Sequence, residues 1–152
     1  AVVQGRASAS VRFSDPRAAE VLTALEDGLA AEIHFHLRLY RRAQGHTGFM
    51  GDRLLSERRL SQTARYDLFE ERWVIEHQGG RISRFSDPTA FLEAFCSLQG
   101  VPVGELPGTD SDRHYLLARV RLYPVKIVFP LSLIILFRPQ LAVSSSWLEE
   151  EL

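Results

Sequence analysis

The sequence predicts an α+β fold, a largely antiparallel sheet with two helices packed on one face; a β-sandwich with two peripheral helices is the alternative. Three observations lead there. The pentapeptide Arg12-Phe13-Ser14-Asp15-Pro16 returns as Arg84-Phe85-Ser86-Asp87-Pro88, and each copy opens a stretch with helical spacing. Downstream of each helix a period-2 segment carries Arg-Leu-Tyr, at 38–40 and again at 121–123. Short alternating runs separated by turn residues fill the space between them. Two strand-helix-strand units sharing one core make an internal pseudo-repeat one reading, and a good helix cap used twice is the other.

The elements follow in chain order. Asp15 and Asp87 can each accept a hydrogen bond from the free N–H groups of a first helical turn, and the proline after each loses no needed donor there. Behind the first cap, Ala18, Val21, Leu22 and Leu25 form an apolar stripe that Gly28 ends. Next comes a strand in which Ile33, Phe35, Leu37 and Leu39 share one face, while Glu32, His34, His36, Arg38 and Tyr40 share the other. Leu60 to Tyr66 and Arg72 to Glu76 read as two strands joined by a turn around Asp67 to Glu71, although the phasing of Leu54 to Thr63 also admits a short helix. Gln78-Gly79-Gly80 turns the chain into a short strand from Arg81 to Phe85. Behind the second cap, Phe91, Leu92, Phe95 and Leu98 form the second helical stripe before Gly100.

Val101 to Arg113, rich in Gly, Pro and Asp, is expected to be a loop. In the strand that follows, Leu116, Ala118, Val120 and Leu122 oppose Arg119, Arg121 and Tyr123. Val125 to Phe137 is expected to supply one or two buried strands, or a short helix after Pro130. Residues 1–143 are thus read as a single globular domain and 144–152 as a polar tail, with Trp147 available as a docking anchor.

Composition narrows the function. In 152 residues, 45% hydrophobic, 18 basic side chains balance 19 acidic ones for a formal charge of −1. Such a balance gives no global field to draw nucleic acid or an anionic membrane, so no nucleic-acid partner is expected. Seventeen of the 18 basic residues are arginine and one is Lys126; the planar guanidinium suits carboxylate and phosphate, but genome base composition produces the same bias. Cys96 is alone, which excludes an internal disulfide, and it lies on the apolar side of the second helix as a core residue. The longest apolar run, Ile127 to Phe137, is interrupted by Pro130 and Ser132 and is shorter than the roughly 18 residues of a membrane span. Residues 1–10 lack a basic n-region and an apolar h-region, and Ala1 is not a methionine, so we expect a segment ahead of it to have been processed or trimmed away.

Catalytic signatures are scarce. There is no phosphate-binding glycine loop, dinucleotide fingerprint, zincin helix or Cys-x-x-Cys pair. His34-x-His36 is the best metal candidate, because i and i+2 on a strand point the same way, with Glu32 beside them; no third ligand has a recognisable spacing, and a solvated face explains the three residues more simply. His46, His77 and His114 are scattered. Asp110-x-Asp112-x-His114 lacks the further oxygen ligands of a calcium loop, and Ser144-Ser145-Ser146 has no nucleophile-elbow context. No metal site is favoured and no cofactor is expected.

Charge is uneven along the chain. Residues 38–65 hold Arg38, Arg41, Arg42, Arg53, Arg58, Arg59 and Arg65 against Asp52 and Glu57, a net of +5; residues 113–148 hold another +5 with no acid. If both Arg-Leu-Tyr strands lie in one sheet, Arg38, Tyr40, Arg119, Arg121 and Tyr123 form an exposed basic patch flanked by aromatics. The simpler alternative is that the acidic stretch 66–112 folds over the patch and neutralises it.

Several pieces resemble an uncharacterised bacterial family known only as domain of unknown function 4390. They are Leu37-Arg38-Leu39-Tyr40; Arg65-Tyr66-Asp67 followed by Arg72-Trp73-Val74-Ile75-Glu76; the helix after Phe85-Ser86-Asp87-Pro88; and the closing Pro-Leu-Ser-Leu run with Ser146-Trp147. The resemblance spans about Leu29 to Trp147. It implies an exported protein of the periplasm or envelope with no known activity; the chain departs from the pattern where Leu148-Glu149 replaces a further aromatic.

Together these readings favour a non-enzymatic envelope module that binds another envelope protein, a second copy of itself or a membrane-proximal ligand through the Arg/Tyr face. The alternatives are a metal-dependent enzyme centred on His34 and His36, and a carrier of a small apolar ligand lined by the Ile127 to Phe137 run.

Overall fold

A computed structural model of the chain describes residues 2–3, 6–14, 18–43, 51–106, 114–126 and 143–152. In chain order the elements are β1 (Val2–Val3), β2 (Arg6–Arg12), α1 (Ala18–Glu26), β3 (Ala30–Arg41), β4 (Arg53–Asp67), β5 (Arg72–His77), β6 (Ile82–Phe85), α2 (Pro88–Phe95), β7 (Ser97–Glu105), β8 (His114–Lys126), β9 (Val143–Ser144) and β10 (Leu148–Glu151). All pairings are antiparallel. One sheet has seven strands in the order β10-β8-β3-β4-β5-β6, with β9 also on β8; the other has three in the order β1-β2-β7. The fold is α+β and mostly sheet.

Alternation along β3 organises the core. Ala31, Ile33, Phe35, Leu37 and Leu39 are all buried on one face of the large sheet. At one end of that face Val21 and Leu25 of α1 and Phe91 and Phe95 of α2 pack on Ile33, Phe35, Ile75 and Leu122. At the other end Ala7 and Ala9 of β2 and Val103 of β7 pack on Leu37, Leu39, Leu116 and Ala118. One face of the large sheet is thus covered half by helices and half by the small sheet. Removing this apolar surface from water at about 25 cal/mol per Å² is the main force holding the layers together. The opposite face of β8, β3 and β4 carries the candidate site.

Local chemistry explains the boundaries. Asp87 caps α2, its carboxylate accepting from Ala90 N–H at 2.6 Å, and Pro88 takes the first helical position. Asp15 and Pro16, the matching cap of the first pentapeptide, lie outside the described residues. Gly28 ends α1 at φ 82°, a backbone conformation that side chains with a Cβ resist. The β4–β5 turn is held by Asp67 Oδ1, which accepts from Phe69 N–H at 3.0 Å and Glu70 N–H at 3.2 Å. Where the two sheets meet, Ser56 donates its hydroxyl to Val103 C=O at 2.6 Å, and a Cβ on Gly104 would stand 2.9 Å from Ser56 Cβ.

Four expectations need correction or completion. The loop expected from Val101 is strand β7 as far as Glu105; its Pro102 lacks a ladder donor but sits on the edge of the small sheet, where that loss is tolerated. The possible helix at 54–63 is strand β4. The segment from Ser144, expected to be a tail, supplies Ser144 to β9 and four residues to β10 on the free edge of β8. Finally, α1 leads directly into β3 of the large sheet, whereas α2 leads into β7 of the small one, so the second Arg-Leu-Tyr strand, β8, lies one strand beyond the helix it was matched with. Residues 127–142, which include nearly all of the expected buried strands and the whole apolar carrier run, lie outside the described residues, as do His46, Asp110 and Asp112. No helix among the described residues is long and apolar enough to cross a membrane.

Candidate functional site

Register brings the two Arg-Leu-Tyr strands together as neighbours. On the face opposite the core, Arg119 of β8, His36 of β3 and Arg59 of β4 stand in one cross-strand row, and Arg121, His34 and Ser61 stand in the next. Directly opposed residues in such rows are about 4.5–5.5 Å apart at Cβ, so like charges there repel. A cleft of about 440 Å³ lies over these rows, bordered also by Tyr123 and by Gln78 from the turn after β5.

Glu57 is the acid of the site. Its Oε1 accepts from His36 Nε2, from Arg59 Nη2 at 2.9 Å and from Arg38 Nε at 3.4 Å. The Arg59 hydrogen bond, and then that of His36, hold its carboxyl down at about 2, well below the ordinary range. Glu57 is therefore ionised at neutral pH, and its single negative charge is divided among three neighbours. Glu32 occupies the analogous position for His34, at 3.2 Å.

Arg119 and Arg121 are differently placed. Arg119 donates to the Ser144 hydroxyl, at 2.9 Å from Nη2 and 3.2 Å from Nε, and its guanidinium lies 5.8 Å from the centroid of Trp147. Neither arginine pairs with a carboxylate among the described residues. At the upper end of the cleft Tyr123 meets His34 edge-on, ring centroids 5.2 Å apart. At the other end Trp147 packs 5.1 Å from His36 and 5.0 Å from the Arg38 guanidinium.

The C-terminal segment is clasped to this face by polar contacts. Ser145 Oγ accepts from Val120 N–H at 3.0 Å. Arg42 Nη2 reaches Glu149 at 2.7 Å and Glu151 at 2.8 Å while lying 4.9 Å over the Tyr115 ring. Tyr115 stacks on Tyr40 and donates to Asp52 Oδ2 at 2.8 Å; burial, then that bond, pushes its phenol up to about 12.

Of the five residues proposed from sequence, Arg119, Arg121 and Tyr123 border one cleft and Arg38 adjoins it under Trp147, whereas Tyr40 belongs to the Tyr115 stack further along β3. The metal pair is brought to the same cleft, but His34 and His36 face separate carboxylates, and among the described residues no three His, Cys, Asp or Glu side chains are grouped to hold a metal ion. Ser144 and Ser145 serve the C-terminal clasp. His77 bonds the Ser83 hydroxyl at 3.0 Å, and His114 is buried at the start of β8. Of the acidic stretch that was the alternative cover for the basic patch, Glu70 pairs with Arg84 and Glu105 with Arg6, while Asp110 and Asp112 lie outside the described residues.

Arg59, Ser61 and Gln78 were missed. The signal for the first two was the inward parity of Leu60, Gln62 and Ala64, which the polar Gln62 obscured; that side chain is buried and donates to Ser97 C=O at 3.1 Å.

The family model described as domain of unknown function DUF4390 matches residues 2–151. The chain belongs to that family. This membership extends the resemblance read from sequence over nearly the whole chain and brings no assigned activity with it. Nothing among curated proteins or solved structures matches this DUF4390 chain.

Proposed function

We propose that this chain is a non-enzymatic binding module of the bacterial cell envelope that engages an anionic partner through the open face of β8, β3 and β4. The observation that carries the reading is the pair Arg119, half-buried, and Arg121, exposed, on one face of one strand with no carboxylate partner among the described residues, bordering a cleft beside which Glu57 is already shared three ways. A face kept only for solubility would intersperse opposite charges across its rows. The envelope setting follows from the resemblance and is part of the proposal.

Material bound by the wild-type chain from an envelope extract of its host is to be compared with that bound by the variant Arg38→Gln, Arg119→Gln, Arg121→Gln. Specific capture should be lost while the melting temperature moves little, since exposed ion pairs contribute about 0–1 kcal/mol. Equal capture by both proteins contradicts the reading.

A further inference from the structure

Resting on this open-face reading, we propose that the cleft holds a phosphomonoester group. Its polar lining is rich in donors: the guanidiniums of Arg59, Arg119 and Arg121, both imidazoles, and the Ser61 and Tyr123 hydroxyls. Glu57, already accepting from His36, Arg38 and Arg59, and Glu32, beside His34, leave the two β8 arginines without a carboxylate partner among the described residues, a local charge that a dianion matches. A phosphomonoester carries about −1.5 to −2 near neutral pH and has three terminal oxygens. A single carboxylate offers one charge and two oxygens, and a phosphodiester only one charge. Guanidinium forks on neighbouring rows can bind two of the phosphate oxygens, and the bound anion offsets the repulsion between Arg119 and Arg121, which share one face of β8 in the rows Arg119-His36-Arg59 and Arg121-His34-Ser61. At about 440 Å³ the cleft lies within the range of about 300–1,000 Å³ typical of small-molecule sites. It therefore has room for an organic part beside the phosphate, and Tyr123 supplies an aromatic wall for it.

The test is calorimetric titration of the full chain with inorganic phosphate, glycerol 3-phosphate and succinate, with backbone amide NMR to locate the response. A second arm measures sedimentation with phosphatidylcholine vesicles containing phosphatidic acid, a lipid phosphomonoester, or phosphatidylglycerol, a lipid diester. Saturable binding of phosphate and glycerol 3-phosphate, with shifts centred on His34, His36 and Arg121, is expected. Arg121→Gln and, separately, Arg119→Gln should each weaken it about tenfold or more, as loss of a charge-assisted hydrogen bond does, while Arg72→Gln on β5 leaves it unchanged. Preference for phosphatidic acid vesicles over the soluble esters identifies a lipid headgroup as the source; binding of the soluble esters alone identifies a free metabolite. Non-saturating response, equal binding by Arg121→Gln, or succinate binding as tight as phosphate overturns the proposal. If phosphate fails while the triple-arginine variant still loses extract capture, the phosphomonoester is wrong and the open-face reading stands; if both fail, the reading falls too.

Discussion

The guanidinium of Arg38 lies 5.0 Å from the centroid of the Trp147 ring, joining the middle of the large sheet to a residue that precedes its edge strand β10. Arg119 approaches the same ring at 5.8 Å and His36 at 5.1 Å. Trp147 thus holds the C-terminal segment beside the cleft, and the four residues of β10 are exposed and bury little of their own surface.

Trp147→Ala should therefore loosen β10 more than the rest of the fold. Two cation–π contacts at a partly exposed site are worth about 1–2 kcal/mol together. Hydrogen exchange should show faster exchange at Leu148 to Glu151, while β3 and β4 amides stay protected. Unchanged exchange in β10 would mean that the Arg42 clasp alone holds the strand.

Gly104→Ala tests the contact between the sheets. The added Cβ meets Ser56 Cβ at 2.9 Å and Leu39 Cδ2 at 3.3 Å, and the first of these is not the movable end of a long side chain. Overpacking of this kind costs about 1–3 kcal/mol. Urea unfolding should show the midpoint falling by that equivalent with little change in slope; an unchanged midpoint would show that the small sheet slides freely.

Acid should weaken the fold through Glu57. Its folded value, about 2, lies below the ordinary 4.5, so its contribution is fully present above about 4.5 and is lost as pH falls toward 2. The stability difference between wild type and Glu57→Gln, read from melting temperatures, should shrink across that window and stay constant between pH 5 and 7. A difference independent of pH throughout would show that the carboxylate is not ionised against His36, Arg38 and Arg59.

Cys96 should be inert in the native state. It is buried behind α2, and burial pushes its thiol up to about 11. Alkylation by iodoacetamide at pH 8 should run at least tenfold slower than in urea, since the thiolate is the reactive species and free cysteine titrates near 8.5. Equal rates would place the thiol at the surface.

Strands β3 and β8 were legible because their alternation is strict: Ile33, Phe35, Leu37 and Leu39, and Leu116, Ala118, Val120 and Leu122, are all buried. Helix α2 was legible from Asp87-Pro88, a local cap that needs no tertiary partner. Strand β7 was hidden by Gly100, Pro102 and Gly104, residues that read as loop but here serve an edge and a close approach to Ser56. Strand β10 was hidden for another reason. Its glutamates are poor strand formers, and they are held by Arg42, 107 residues from Glu149 and 109 from Glu151 in sequence. The faces of His34, His36, Arg119, Arg121 and Tyr123 followed from period alone, but that they line one cleft with Arg59 depends on the register of β3 against two strands, a long-range property that no local pattern encodes.

The central claim is that the open face of β8, β3 and β4 is where this chain meets its partner. Arginine-specific modification with phenylglyoxal, mapped by mass spectrometry on the chain alone and on the complex captured from envelope extract, tests it most directly. The account predicts that Arg38, Arg119 and Arg121 are shielded in the complex while Arg6 and Arg72 react as before. Shielding confined to Arg6 or Arg72, or no shielding at all on the open face, would contradict it.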